Sequence, residues 1–66
     1  MIQDISEAAG LVWHFLNENG PTAPATIKRK LKLGSEAFYG ALGWLAREDK
    51  LRFEGSAKSM VVSLKQ

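Results

Sequence analysis

The chain is 66 residues long and contains no cysteine, which excludes both a disulfide framework and a thiolate metal site. A chain of this length buries only about 60% of the surface that its unfolded form exposes, so we expect one small domain, residues 1–66, of modest stability. The longest apolar runs are far shorter than the 18 or more residues of a membrane span. The first residues include acids and no basic region, which argues against a signal peptide. We therefore expect a cytoplasmic protein that does not bind a membrane.

The net charge is only +2, but the positive charges are grouped along the chain. Residues 1–20 carry three acids and no base, whereas residues 27–32 carry four bases and no acid. Residues 50–66 carry four bases against one acid, a net charge of +3. A run of charges usually marks only a solvated face, but the group in residues 27–32 is the strongest electrostatic feature of the chain. It consists of Lys28, Arg29, Lys30 and Lys32.

Residues 4–19 are predicted to form the first helix. Asp4 is suited to accept hydrogen bonds from the first free amides, an acidic residue follows three positions later, and Gly20 ends the helix. The apolar residues cover an arc of roughly 200°, wider than the roughly 100° that a surface helix buries. The surplus lies at Leu11 and Trp13, which either pack under neighbouring loops or meet a second copy of the protein.

A second and a third helix follow, joined by a short turn. Pro24–Lys32 is predicted to be helical because proline suits the first turn of a helix. Gly34 is expected to supply the left-handed or tight backbone of the turn, and Ser35 to cap a third helix that extends towards Asp49. The apolar stripe of this helix is Phe38, Ala41, Leu42 and Leu45, with Ala37 and Trp44 beside it, and its far face is Glu36, Tyr39, Gly40, Gly43 and Arg47.

Two glycines stand inside this third helix. Each interior glycine costs a helix about 1 kcal/mol relative to alanine. We therefore expect Gly40 and Gly43 to mark places where another backbone or side chain comes close.

The last part of the chain is predicted to be a β-hairpin. Residues 50–54 and 59–64 alternate in the manner of strands, and residues 55–58 form a four-residue loop between them. A lone hairpin is marginally stable in water, so it should lie against the helices. Three helices and a C-terminal two-stranded hairpin form an α+β winged helix-turn-helix domain, with the hairpin as the wing. The apolar strand residues are Leu51 and Phe53 on one face and Met60, Val62 and Leu64 on another.

Residues 40–51, GALGWLAREDKL, and the upstream segment AGLVWHFLNENG resemble a small family of uncharacterised bacterial winged helix-turn-helix proteins. The resemblance covers nearly the whole chain, and residues 43–49, GWLARED, are its most specific part. It implies the winged-helix fold and a prokaryotic, cytosolic origin. The family is defined by its fold and has no assigned activity, so the resemblance implies no catalytic or ligand-binding residues.

DNA binding is the first functional hypothesis. In a helix-turn-helix domain the start of the third helix reaches base edges in the major groove. Here that start presents Glu36, Tyr39 and Gly40, which offer little of the Arg, Lys, Asn and Gln chemistry that reads bases. Phosphate contacts position a protein without specifying sequence. We therefore expect binding to double-stranded DNA with weak sequence readout, through Lys28, Arg29, Lys30, Lys32, Arg47, Lys50, Arg52 and Lys58.

The alternative hypothesis is a protein-interaction or homodimerisation module that does not bind DNA. Aromatic residues and Arg are favoured anchors at protein interfaces. The residues expected at such an interface are Leu11, Trp13, Tyr39, Gly40, Gly43 and Trp44. An enzyme is not expected, because a single histidine, His14, and the lack of a phosphate-cradling loop provide no nucleophile set and no metal site. For the same reason we expect neither a cofactor nor a small-molecule substrate.

Overall fold

The computed structural model describes residues 4–56 and 59–65. The predicted α+β architecture is confirmed: three helices are followed by a two-stranded antiparallel hairpin, which is a winged helix fold. None of the described helices is both long enough and apolar enough to cross a membrane. The elements are α1 Ile5–Asn19, α2 Pro24–Leu31, α3 Ser35–Arg47, β1 Leu51–Glu54 and β2 Val61–Leu64.

Asp4 caps α1, as its position in the sequence predicts. Its Oδ1 accepts hydrogen bonds from the amide of Ser6 at 2.9 Å, from the Ser6 hydroxyl at 2.7 Å and from the amide of Glu7 at 3.4 Å. These bonds, that of the Ser6 hydroxyl first, hold the pKa of the Asp4 carboxyl below its ordinary value of 3.8. At the other end the amide of Gly20 donates to the carbonyl of Leu16 at 2.8 Å and closes the helix.

The turn between α2 and α3 differs from the prediction. The left-handed residue is Lys32, with φ 55° and ψ 41°, whereas Gly34 is extended, with φ −69° and ψ 161°. The amide of Leu33 donates to the carbonyl of Lys28 at 3.2 Å and that of Lys32 to Arg29 at 3.3 Å, which is a Schellman motif. Leu33 is buried, so the chain must turn one residue before it. The left-handed conformation therefore falls on a lysine.

Both ends of α3 also lie elsewhere than predicted. The N-cap residue is Gly34, so Ser35 is the first helical residue and no side chain caps that end. α3 ends at Arg47 in a second Schellman motif, in which the amide of Lys50 donates to the carbonyl of Leu45 at 2.9 Å. Asp49, with φ 59°, is the left-handed residue of that motif.

The core lies between α1 and α3 and is closed by the hairpin. The predicted apolar stripe of α3 is buried along its whole length, and Ala37 is buried with it. Leu11 and Trp13 are half-buried and pack against this core, and their contact with a second copy stays a prediction. The buried residues are Ala8, Ala9, Val12, Leu16, Ile27, Leu33, Ala37, Phe38, Ala41, Leu42, Leu45, Leu51 and Val62.

The register of the hairpin places its apolar residues on one face rather than on two. Leu51 lies opposite Leu64 and Phe53 opposite Val62, and directly opposite residues of an antiparallel pair point to the same side. Leu51 and Val62 are buried, but Phe53 is 46% exposed. The connecting segment, residues 55–60, is longer than the predicted loop because the second strand starts two residues later. Ala57 and Lys58, which the prediction placed in this loop, lie outside the described residues.

The connector between α1 and α2 joins the hairpin. The amide of Thr22 donates to the carbonyl of Val62 at 3.0 Å, and the amide of Val62 donates back to the Thr22 carbonyl at 2.8 Å. β2 is thereby paired on both sides, which ties the wing to the start of α2.

Candidate nucleic-acid interface

A concave groove of about 580 Å³ lies between α2 and α3. Three bases of the α2 segment and one aromatic ring of α3 line it together. We call this surface the basic groove. Its lining residues are Ala25, Lys28, Arg29, Lys32, Leu33 and Tyr39.

The local fold of α2 explains why these bases face the groove. Ile27 is fully buried, so the residues that follow it in the helix turn outward. Lys28 lies in the last turn of α2, and the left-handed backbone of Lys32 ends the helix beside it, so that both side chains line the same groove. Burial of Leu33 then fixes the end of this segment. Core packing of Ile27 before them and Leu33 after them therefore fixes the positions of these basic residues.

The charges of the basic groove have no acidic partner among residues 4–56 and 59–65. The ion pairs of this part of the chain are Lys65 with Asp49 at 2.8 Å and Arg52 with Glu54 at 4.0 Å. Lys28, Arg29 and Lys32 take part in neither, so their positive charge is available to an anion from outside the chain.

Tyr39 lines the other side of the groove. Its side chain is 59% exposed, and its ring meets that of Phe38 edge-on, with the ring centroids 5.0 Å apart. Because Phe38 is fully buried, the Tyr39 ring rests on an anchored neighbour. A tyrosine hydroxyl can donate a hydrogen bond to a phosphate oxygen, so Tyr39 adds a neutral donor beside the three cations.

The other basic residues predicted to contact DNA, as far as they belong to the described residues, lie outside the groove lining. Lys30 is exposed on α2. Arg47 lines a separate hollow beside α3, and Lys50 lines a smaller hollow that shares Trp44 with it. Arg52 stands on β1, within 4.0 Å of Glu54. Lys58 lies outside the described residues.

A second concave surface borders α3 and shares no lining residue with the basic groove. This hollow has a volume of about 580 Å³, and we call it the Trp44 hollow. Trp44 and Tyr39 are five residues apart, which places them about 140° apart around the helix. Trp44 also borders a smaller hollow of about 240 Å³ that contains Trp13. The Trp44 hollow is lined by Ile5, Gly40, Gly43, Trp44, Arg47 and Glu48.

The two glycines of α3 have different surroundings. A Cβ atom at Gly40 would lie 2.7 Å from Cδ1 and 2.9 Å from Cγ1 of Ile5, so the close approach predicted there is made by α1 of the same chain. A Cβ atom at Gly43 would meet nothing within 4 Å. Of the two glycines, Gly43 alone faces open space where a partner could come close.

The residues predicted for a protein interface are accordingly divided. Tyr39 belongs to the basic groove, and Gly40 is covered by Ile5. Gly43 and Trp44 share the Trp44 hollow. Sequence reasoning missed Ile5 and Glu48 as members of that hollow. The only signal in the sequence was the wide apolar arc of α1, which includes Ile5 but does not show where it packs.

Residues 1–64 match a family model described as Winged helix-turn-helix domain (DUF2582). The chain belongs to this family. This confirms the resemblance seen in the sequence. An uncharacterised protein of Methanocaldococcus jannaschii is 38% identical to it over 64 residues, covering 92% of this chain and 90% of that protein.

Two solved structures are similar to the domain. One is the solution NMR structure of a protein from Bacteroides thetaiotaomicron, 35% identical, with a TM-score of 0.79 over 91% of this chain and 73% of that chain. The other is the Zalpha domain from Carassius auratus PKZ, solved in complex with Z-DNA. It is 21% identical, with a TM-score of 0.79 over 92% of this chain and 97% of that chain. At that identity the likeness concerns the fold alone.

Proposed function

We propose that this domain binds double-stranded DNA through phosphate contacts made by the basic groove, as a non-catalytic cytoplasmic module with weak sequence readout. The observation that carries the proposal is that Lys28, Arg29, Lys32 and Tyr39 line one concave surface. Three cations that have no acidic partner among the described residues supply the electrostatic attraction on which non-specific binding to DNA depends. The Tyr39 hydroxyl adds a donor of the kind that commonly contacts the DNA backbone.

Weak sequence readout follows from the outward surface of α3. Specific binding by a helix-turn-helix domain requires base-contacting side chains near the start of the recognition helix. Glu36 stands there instead. Arg47, the one basic residue of α3, lies in the last turn of the helix. Without bidentate contacts to bases, the domain has little means of distinguishing one duplex from another.

The similarity in fold to a domain solved in complex with Z-DNA supports the class of partner. The choice of the basic groove rests on this chain's own charges.

The test is the salt dependence of binding to a labelled duplex of arbitrary sequence, measured by fluorescence anisotropy. Three phosphate contacts predict a slope of about −2.7 in a plot of log K against log salt concentration. Lys28→Gln combined with Arg29→Gln should make the slope shallower by about 2, one for each lost contact. Two duplexes of unrelated sequence should differ in affinity by less than about tenfold, far below the 10³ or more of specific binders.

The matched control is Lys65→Gln, which removes one positive charge from the end of the hairpin, where Lys65 pairs with Asp49. It should leave the slope unchanged. The proposal fails if the protein does not bind at about 50 mM salt, where phosphate contacts are strong. It also fails if Lys65→Gln weakens binding as much as either groove substitution alone.

A role in protein interaction is favoured by a different observation. Trp44 is 49% exposed and stands at the border of two hollows. The Trp44 hollow and the basic groove share no lining residue, so the two roles do not compete for the same residues.

A further inference from the structure

The Trp44 hollow combines three features that the DNA proposal does not use. Trp44 is a large exposed aromatic side chain, and Ile5 beside it is 41% exposed. The hollow between them has a volume of about 580 Å³, which leaves room for an indole ring. A partner surface that also carries an exposed ring beside a hollow can fit this one, because each ring can enter the hollow of the other surface.

Gly43 is the second feature. It stands in the interior of α3, where glycine costs about 1 kcal/mol relative to alanine, and a Cβ there would meet no atom of the chain within 4 Å. Nothing inside the described chain therefore requires a glycine at this position. A side chain at position 43 would project into the hollow, whereas glycine leaves the space open.

Charge is the third feature. Arg47 and Glu48 are adjacent, exposed and of opposite sign, and both line the hollow. Neither belongs to an ion pair within the part of the chain that the structure describes. A two-fold axis through the hollow would bring each arginine towards the partner's glutamate. The surface is therefore complementary in charge to a second copy of itself.

We propose that the Trp44 hollow is the interface of a two-fold symmetric homodimer. Trp44 of each copy packs over the partner's Gly43, and Arg47 of each copy pairs with the partner's Glu48. Such an interface is isologous, because the same patch serves on both subunits. Dimerisation also suits the size of the domain, since a chain of this length without disulfides has a small core of its own. The basic grooves lie outside the contact.

The first test is the dissociation constant of the dimer, measured by sedimentation equilibrium. Trp44→Ala should raise it at least about tenfold, because buried aromatic anchors dominate the energy of such interfaces. The matched control is Phe53→Ala, which removes an exposed aromatic ring from β1, outside the lining of the hollow, and should leave the constant unchanged. Circular dichroism should show both variants folded, since both side chains are exposed.

The second test exchanges the charges. Arg47→Glu and Glu48→Arg should each weaken self-association, because each variant places like charges across the two-fold axis. An equimolar mixture of the two should form a heterodimer, since one subunit is then acidic and the other basic at both positions. The double variant Arg47→Glu, Glu48→Arg should dimerise like the wild type. A purely structural role of these residues would not produce this recovery.

Three results would overturn the proposal. The first is a wild-type protein that remains monomeric up to about 1 mM, the weak end of measurable affinities. The second is a dimer whose dissociation constant does not respond to Trp44→Ala. The third is a mixture of the two charge variants that associates no better than each alone.

Discussion

Gly40 and Gly43 are only three positions apart on α3, yet the surroundings that favour glycine differ between the two positions. Gly40 makes room for Ile5, which approaches from the first turn of α1. Gly43 makes room for no atom of the described part of its own chain. A pair of glycines that reads as one feature in the sequence is therefore two features in the structure, one internal and one facing outward.

This difference predicts that alanine stabilises the domain more at position 43 than at position 40. Gly43→Ala should raise the free energy of unfolding by about 1 kcal/mol, the full difference in helix propensity. Gly40→Ala should raise it by less, because the added methyl group would lie 2.7 Å from Cδ1 of Ile5 and must displace that side chain. Both are measured by urea denaturation in the Trp44→Ala background, so that self-association does not contribute.

A double-mutant cycle supplies the control for this prediction. When Ile5→Ala is also present, Gly40→Ala should regain the full effect of helix propensity, while the effect of Gly43→Ala should stay the same. Equal responses of the two glycines in the presence of Ile5 would contradict the assignment.

At the scale of elements, the ends of α2 and α3 show which features a sequence can reveal. Periodicity and a capping residue were enough to predict α1, because Asp4 acts within its own turn. The turn after α2 was predicted wrongly, because its geometry depends on the burial of Leu33 in a core formed by distant residues. The same limit applies to the groove: the sequence identified Lys28, Arg29 and Lys32 as basic, but it could not show that Tyr39 faces them.

The left-handed residue at the end of α2 predicts a conflict between stability and binding. A non-glycine residue in this conformation costs about 1 kcal/mol, so Lys32→Gly should raise the free energy of unfolding by about that amount. It should also lower the affinity for DNA, because it removes a cation from the basic groove. Urea denaturation and fluorescence anisotropy measure the two effects separately.

Two further variants separate the effect of backbone strain on stability from the effect of the positive charge on DNA affinity. Lys32→Gln keeps the strained backbone and should lose DNA affinity with no gain in stability. Asp49→Gly relaxes the equivalent residue of α3, φ 59°, and should leave DNA affinity unchanged. Its gain in stability should be smaller, because aspartate tolerates this conformation better than lysine and its pair with Lys65 is lost. An equal gain from Lys32→Gln and Lys32→Gly would rule out backbone strain as the cause.

At the scale of the whole molecule, the two proposed surfaces are formed by different residues. Because the basic groove and the Trp44 hollow share no lining residue, contact through the Trp44 hollow leaves the lining of the basic groove of each subunit outside the contact. A dimer of a domain that measures only 30 × 22 × 20 Å then presents two outward-facing basic grooves. This arrangement suits two separate duplexes better than two sites on one duplex.

The dimer is therefore expected to bridge DNA. Donor-labelled and acceptor-labelled duplexes, mixed with wild-type protein at about 50 mM salt, where phosphate contacts are strong, should show energy transfer. The signal should rise with protein concentration and fall when excess protein saturates each duplex separately, as expected for a bivalent linker. Trp44→Ala should abolish the transfer while leaving the anisotropy of a single short duplex nearly unchanged, since its groove is intact.

Lys28→Gln with Arg29→Gln should reduce both signals. Transfer that persists in the Trp44→Ala monomer would show that bridging does not depend on the proposed interface, and its absence in a dimeric, DNA-saturated wild type would show that the two grooves do not face apart.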